Sequence, residues 1–415
     1  MTFSRSIAPE LRLAFAKPFV HILFGARQTG KSTLLRQLLP EPALALDFSD
    51  PSQRSAYLAD PGRLIPECRA LPTGQPPPAV VIDEAQAVPA IFDAIQHLYD
   101  SDKTRWRFVL CGSSARKLRQ TGANLLPGRA LLHRLTALTL GERPASGSTV
   151  AVAPELAFPL PSLPASAPCF PAAGVEERLA TGELPGVVVL APEDRAAVLR
   201  SYVHIYLQEE LRREALIKDW AAFVRFLELA ARESGQLVDY ARISRGAGIS
   251  APTVKSHYQL LEDLFVGFSL PAFSGSARKS LLSTPRFVLF DTGLRHAAAG
   301  LEPSATTVAA NPGPVFEQWV LAELWKRTLY TPEARLSYLR TKAGAEVDCI
   351  VTLKGRHYPV EIKWTDKPTV TDTRHLTAFL AEHEPAVAPL GFVVCRCERP
   401  ALLAPRVVAL SWSAF

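Results

Sequence analysis

An apolar run from His21 to Phe24 breaks at Gly25, and polar residues follow until Lys31-Ser32-Thr33-Leu34-Leu35, where an apolar pair opens a helical repeat. This spacing predicts a strand, a glycine-rich loop and a helix. A second apolar run, Val80-Val81-Ile82, ends in Asp83-Glu84, and a third, Arg107 to Cys111, ends in Gly112-Ser113-Ser114. Helical stretches separate them. Strands that alternate with helices predict an α/β fold with a parallel sheet, and a ligand at the C-terminal ends of its strands.

Between Pro144 and Pro171 the pattern lapses into seven prolines in 28 residues, a composition that sustains neither a helix interior nor a central strand. Helical spacing returns from Pro192 to Ala231, with Leu199, Tyr202, Val203, Tyr206 and Leu207 on one face. From about Leu281 short β-like runs take over, at 286–290, 337–339, 347–353, 358–363 and 391–394, with a helix over Val315 to Tyr330. The expected organisation is a nucleotide-binding core over 1–143, a Pro-rich linker or surface excursion over 144–174, a helical region over 175–274, and a mixed α/β domain over 275–415.

Composition narrows the class. A chain of 415 residues is expected to hold two or three domains, and 48% hydrophobic with 21% charged residues is a globular balance. No apolar run reaches about 18 residues and no secretory signal is evident, so the expected location is the cytoplasm, away from membranes. Six cysteines without CxxC spacing predict reduced thiols and no structural zinc. A net charge of +6 is compatible with a polyanionic partner.

Gly25-Ala26-Arg27-Gln28-Thr29-Gly30-Lys31-Ser32 fits GxxxxGK[ST] at every fixed position, between a predicted strand and a predicted helix. Loop N–H groups and the helix N-terminus, with Thr33 in its first turn, would cradle the phosphates of ATP; Lys31 would reach the β and γ phosphates and Ser32 would ligate Mg2+. Asp83 can hold the same ion, Glu84 can polarise the attacking water, and Ser113 can sense the γ-phosphate. Two arginines compete for the finger that stabilises transition-state charge, Arg129 before the next strand-like run and Arg116 in the segment after Ser114. A finger acting in trans would require a homo-oligomer.

These pieces, with Val81-Ile82-Asp83-Glu84-Ala85-Gln86, Gly112 to Leu118, Gly128-Arg129, Leu140-Gly141-Glu142, Gly182 to Gly186 and Leu199 to Tyr202, resemble AAA-type P-loop ATPases of bacteria and archaea that carry a C-terminal domain of unknown function. The resemblance covers most of the chain. It departs at the long Pro-rich stretch and at Glu183, where a second glycine would be expected.

Tyr240 to Leu264 predicts helix, glycine turn, helix: Ile243, Ala247 and Ile249 are apolar, Gly248 turns, and Ser250 caps a second helix with Pro252 in its first turn. This is the form of a winged helix-turn-helix, and it would turn Thr253, Lys255, Ser256 and Gln259 outward toward DNA. The same unit could instead contact protein.

At the C-terminus a two-residue turn at Lys354-Gly355 pairs positions summing to 709, so Asp348 faces Glu361, and strand alternation puts Lys363 on the same side. D then ExK resembles the PD-(D/E)xK nuclease pattern, and Glu317 on the preceding helix matches its upstream acid. The resemblance implies a restriction-endonuclease-like domain with Glu317, Asp348 and Glu361 as metal ligands. The function expected is a Mg-dependent ATPase coupled to DNA binding or processing, with nuclease activity at this domain; the alternative is a nucleotide-switched regulator that binds DNA or protein and cuts nothing.

Overall fold

The structure, a computed structural model, describes residues 3–113, 126–147, 150–156, 162–164, 170–207, 217, 219–274, 283–341 and 344–414. The chain forms two compact units: Arg5–Thr136 with Asp263–Phe265, and Met1–Ser4 with Ala137–Glu262 and Val266–Phe415.

The first unit is built on five strands, β1 (Val20–Phe24), β2 (Leu44–Asp47), β3 (Ala79–Asp83), β4 (Arg107–Gly112) and β5 (Ala130–Arg134). All pair in parallel, in the order β2-β3-β4-β1-β5. Every residue of β1 is buried, as an apolar run covered on both faces requires. Helices α1 (Ala8–Phe15), α2 (Lys31–Leu38), α3 (Pro51–Ala59), α4 (Leu64–Ala70) and α5 (Ile91–Ser101) complete the unit. In α5, Ile91, Phe92, Ile95 and Leu98 form the buried stripe, and they join β1, β3 and β4 in one apolar core. From β1 the chain crosses to the β2 edge, returns through β3 and β4, and places β5 on the other side of β1. The order therefore reverses around β1, and it is outside the C-terminal end of such a strand that open α/β sheets bind their ligands.

In the second unit the Pro-rich stretch returns to its own start, with Ala145 bridging Ala173. It carries a short pair, β6 (Val150–Val152) and β7 (Ser162–Pro164), and buries Val152 and Leu156 in the core around Trp319. Helices Tyr240–Ala247 and Ala251–Asp263 flank Gly248, which has φ 72°, a left-handed value that glycine adopts without strain. An antiparallel pair, β8 (Gly267–Leu270) and β9 (Arg286–Leu289), follows directly.

The last segment is a mixed six-stranded sheet, β10 (Arg335–Arg340), β11 (Glu346–Leu353), β12 (Arg356–Ile362), β13 (Gly391–Cys395), β14 (Ala401–Ala404) and β15 (Val407–Ser411), ordered β10-β11-β12-β13-β15-β14. The helix Pro312–Thr328 packs Phe316, Trp319 and Val320 with Cys349, Val351 and Val360. The helix Arg374–Ala381 packs Leu376, Phe379 and Leu380 with Val347, Ile350 and Val393.

Glu183, in place of the expected glycine, is 4% exposed between two buried arginines, with Arg178 at 2.6 Å and Arg143 at 3.2 Å. Burial pushes its carboxyl up, but Arg178 and Arg143 outweigh that and hold it below its usual range. Its backbone N–H donates to Asp291 Oδ2 at 2.6 Å. A side chain at Gly182 would strike the Asp291 carboxylate, so the first glycine of the pair is required here.

Candidate functional site

Gly25 follows the last residue of β1, and a Cβ on it would collide with the Leu135 carbonyl oxygen; the loop starts against the backbone after β5. Gln28 (φ 61°) and Gly30 (φ 87°) are left-handed, and Gly30 delivers the chain into α2. These bends turn the loop around the helix N-terminus, the arrangement that presents N–H groups and partial positive charge to an anion. Thr29 Oγ1 donates to Ala26 O at 2.8 Å, and Lys31 Nζ donates to the carbonyls of Gly25 at 2.8 Å and Ala26 at 3.0 Å. The buried Arg5 clamps the loop from outside, donating to Thr29 O at 2.6 Å and Thr136 O at 2.8 Å. Ser32 is half-buried in the first turn of α2 and Thr33 is exposed.

The acidic strand ends beside this loop. In the register, Phe24 aligns with Gly112 and Ile82 with Leu110, so β4 lies between the loop strand and the Asp83 strand. Asp83 Oδ1 accepts from the Glu84 N–H at 2.9 Å and from the Cys111 thiol. The Cys111 thiol is pushed well above its usual pKa, first by burial and then by Asp83, while Lys31 pulls the other way; Lys31, Asp83 and Glu84 thus share one electrostatic environment. Glu84 itself is left-handed at φ 52°, a strained backbone for a side chain of its size.

Gln86 is a member that the motif reading passed over. Its Nε2 donates to the Glu84 carboxylate and to Ser113 Oγ at 3.1 Å, tying the ends of β3 and β4 together. The space is tight, since a Cβ on Gly112 would strike Gln86 Oε1.

Of the two arginine candidates, Arg129 does not join this group. Arg129 precedes β5 at the opposite edge of the sheet, about 17 Å of strand from Arg134 beside Phe24. Its guanidinium grips Asp100, with Nε at 2.6 Å and Nη2 at 3.0 Å. Arg116 lies outside the described residues. Arg134, at the C-terminal end of β5, is the arginine of that strand on the loop side.

In the second unit the helix pair turns Val254, Tyr258 and Leu261 inward and leaves Lys255, Ser256 and Gln259 exposed, with Thr253 half-buried. Ser250 Oγ accepts from the Thr253 N–H at 3.3 Å, and Lys255 Nζ lies 5.1 Å from the centroid of the Tyr240 ring. Asp239 caps the first helix through the Arg242 N–H at 2.9 Å.

The β11–β12 turn has left-handed Lys354 and Gly355, and Leu353 faces Arg356 while Cys349 faces Val360, the register sum of 709. Asp348 Oδ2 accepts from the Ile362 N–H at 2.8 Å, and Glu361 is 2.7 Å from Lys363 Nζ. Arg286, which no motif flagged, enters this cluster from β9. Its Nη1 is 2.7 Å from Glu317 and 3.9 Å from Asp348, and its Nη2 bonds Glu346. Burial, with Asp348 as the next cause, lifts the carboxyls of Glu317 to about 8 and Glu361 to about 7, and burial raises Asp348 as well. Among the described residues, no group of three His, Cys, Asp or Glu side chains could hold a metal ion as arranged.

Residues 17–143 match an AAA domain. The parallel sheet and its loop agree with a P-loop ATPase fold. Residues 173–305 and 312–415 match two domains of unknown function, DUF8612 and DUF4143. Two uncharacterized proteins, from Mycobacterium bovis and Mycobacterium tuberculosis, are each 28% identical over 370 residues, covering 88% of this chain and 75% of theirs. An uncharacterized protein of Haemophilus influenzae is 25% identical over 327 residues, covering 74% and 75%. Among the described residues, no helix is long and apolar enough to cross a membrane.

Proposed function

We propose that the first unit hydrolyses ATP with Mg2+ and that the second binds DNA under the control of the nucleotide. The observation that carries this reading is the alignment of the loop strand, β4 and the Asp83 strand, in which Asp83 bonds the Cys111 thiol and Gln86 joins Glu84 to Ser113 at the strand ends that follow the loop's own register. Gly25, too crowded for a side chain, and left-handed Gly30 give the loop the shape of a phosphate cradle, and hydroxyl and carboxylate are the hard donors that Mg2+ takes alongside phosphates. Ser32 and Asp83 would hold the ion, which when bound neutralises charge on the transferring phosphoryl group. Lys31, now on the Gly25 and Ala26 carbonyls, would exchange them for phosphate oxygens. Glu84 would take a proton from the attacking water, and Gln86 would hold its carboxylate against Ser113. Replacing Glu84 with Gln should slow hydrolysis by roughly 10²- to 10⁴-fold while leaving ATP binding intact.

The helix pair and the β8–β9 pair after it have the order of a winged helix, which supports DNA as the partner of Lys255, Ser256, Gln259 and Thr253. Arg129, at the far edge of its own sheet, would serve as a transition-state arginine only toward a second copy. For the C-terminal domain we favour a nuclease-like fold that does not cut, because the carboxylates Glu317 and Asp348 face the guanidinium of Arg286. As arranged they do not fit a divalent ion, and no hydrolytic step is assigned to them.

A further inference from the structure

We propose that Arg286 is the resident cation of the D…ExK cluster, occupying the position a divalent metal would need, so that the site is a latent metal site closed by the strand that follows the helix pair. The inference rests on the nuclease-like reading of this domain, and it is independent of the ATPase.

The first observation is geometric. Arg286 opens β9 and is 5% exposed in its side chain; Nη1 is 2.7 Å from Glu317 Oε1 and 3.9 Å from Asp348 Oδ1, and Nη2 bonds Glu346 Oε1. Three carboxylates from a helix and a strand therefore converge on one guanidinium, whose other face lies over Tyr338 with its carbon 5.2 Å from the ring centroid. The fourth carboxylate, Glu361, is matched through Oε1 by Lys363, and its Oε2 is buried without a hydrogen-bond partner.

The second observation is chemical. Arginine keeps its charge at every working pH, so proton loss cannot remove it from the cluster. A divalent ion and a guanidinium on the same carboxylate oxygens exclude each other by charge and by volume. Metal can enter only if the side chain of Arg286 is withdrawn, and that side chain belongs to β9, paired with β8 directly after Ala251–Asp263. A rearrangement of β8 and β9 would therefore open the cluster.

The test is Mn2+ binding, followed by the electron paramagnetic resonance of free Mn2+, on the nucleotide-free full-length chain. An Asp83→Asn background keeps the first unit from contributing. Without further change the protein should leave the free Mn2+ signal unaltered by Asp348→Asn. Arg286→Ala should bind Mn2+ at least about tenfold more tightly, and adding Asp348→Asn should abolish the gain. If Arg286→Ala does not fold by circular dichroism, Arg286→Met keeps an apolar stem over Tyr338 and takes its place. Asp348-dependent Mn2+ binding with Arg286 present would overturn the proposal, and so would a folded Arg286 variant that gains no site. Loss of ATPase activity has no bearing on either result, so failure here is distinct from failure of the ATPase reading. Loss of the nuclease-like reading itself would show as a gained site that Asp348→Asn leaves in place.

Discussion

Gln86 illustrates how a residue without charge can organise a charged site. It spans Glu84 and Ser113, and losing it removes the hydrogen bonds that tie the Glu84 carboxylate to the end of β4. Gln86→Ala should lower kcat for ATP roughly tenfold with little change in KM, measured by steady-state phosphate release. Gly112→Ala should have the same signature, because the new methyl would push Gln86 away. Asp291 makes a different prediction. Burial raises its carboxyl to about 6, above its usual 3.8, so the folded chain holds this proton more tightly than the unfolded one. Below pH 4 the group is protonated in both states and adds nothing. As pH rises from 4 to 6 the unfolded chain loses the proton first, and the fold loses up to about 3 kcal/mol, a deficit that persists at higher pH. Asp291→Asn removes this dependence. Its stability relative to the parent should therefore climb between pH 4 and 6, whatever its constant offset, in urea unfolding at a series of pH values. A flat difference would show that Asp291 stays charged in the fold.

At the scale of elements, regular patterns were legible and pairwise side-chain contacts were not. The strand, loop and helix around Gly25 to Ser32 follow from apolar run, glycines and the helical repeat; the hairpin register follows from a two-residue turn and strand alternation, and 349 does face 360. The helix pair around Gly248 likewise shows its inward face, Val254, Tyr258 and Leu261. Arg286 was missed because its partners Glu317, Glu346 and Asp348 lie 31 or more residues away, at no period its own strand reveals. The one local trace is a charged residue at the head of an otherwise apolar strand. Glu183 read as a departure from a glycine pair, and its contacts with Arg178 and with Arg143, 40 residues earlier, show that it is a buried partner of opposite charge. On the second helix of the pair, Lys255→Ala should weaken DNA binding and reduce the slope of log affinity against log salt by about 1, measured by fluorescence anisotropy over a salt series. An unchanged slope would remove Lys255 from the interface and favour protein as the partner of that helix.

For the molecule as a whole, the proposed function places chemistry in the first unit and recognition in the second. The match of residues 17–143 to an AAA domain and the ion pair of Arg286 with Glu317 support that division: the proposed hydrolysis lies in the first unit, and the C-terminal carboxylates hold a charge of their own. Homo-oligomerisation belongs to this scale too, because Arg129 lies a strand's length from its own loop and can serve as a finger only toward a neighbour. Arg129→Ala should then reduce ATP turnover only under conditions where the chain self-associates, checked by activity across a dilution series with light scattering. The most direct test of the central claim is Mg2+-dependent ATP hydrolysis by the intact chain, with and without duplex DNA, compared among the parent, Lys31→Ala and Glu84→Gln. The proposed function predicts turnover that DNA changes, that Lys31→Ala abolishes, and that Glu84→Gln suppresses while nucleotide still binds. Turnover that survives Lys31→Ala, or a parent chain that neither binds nor hydrolyses ATP, would contradict it.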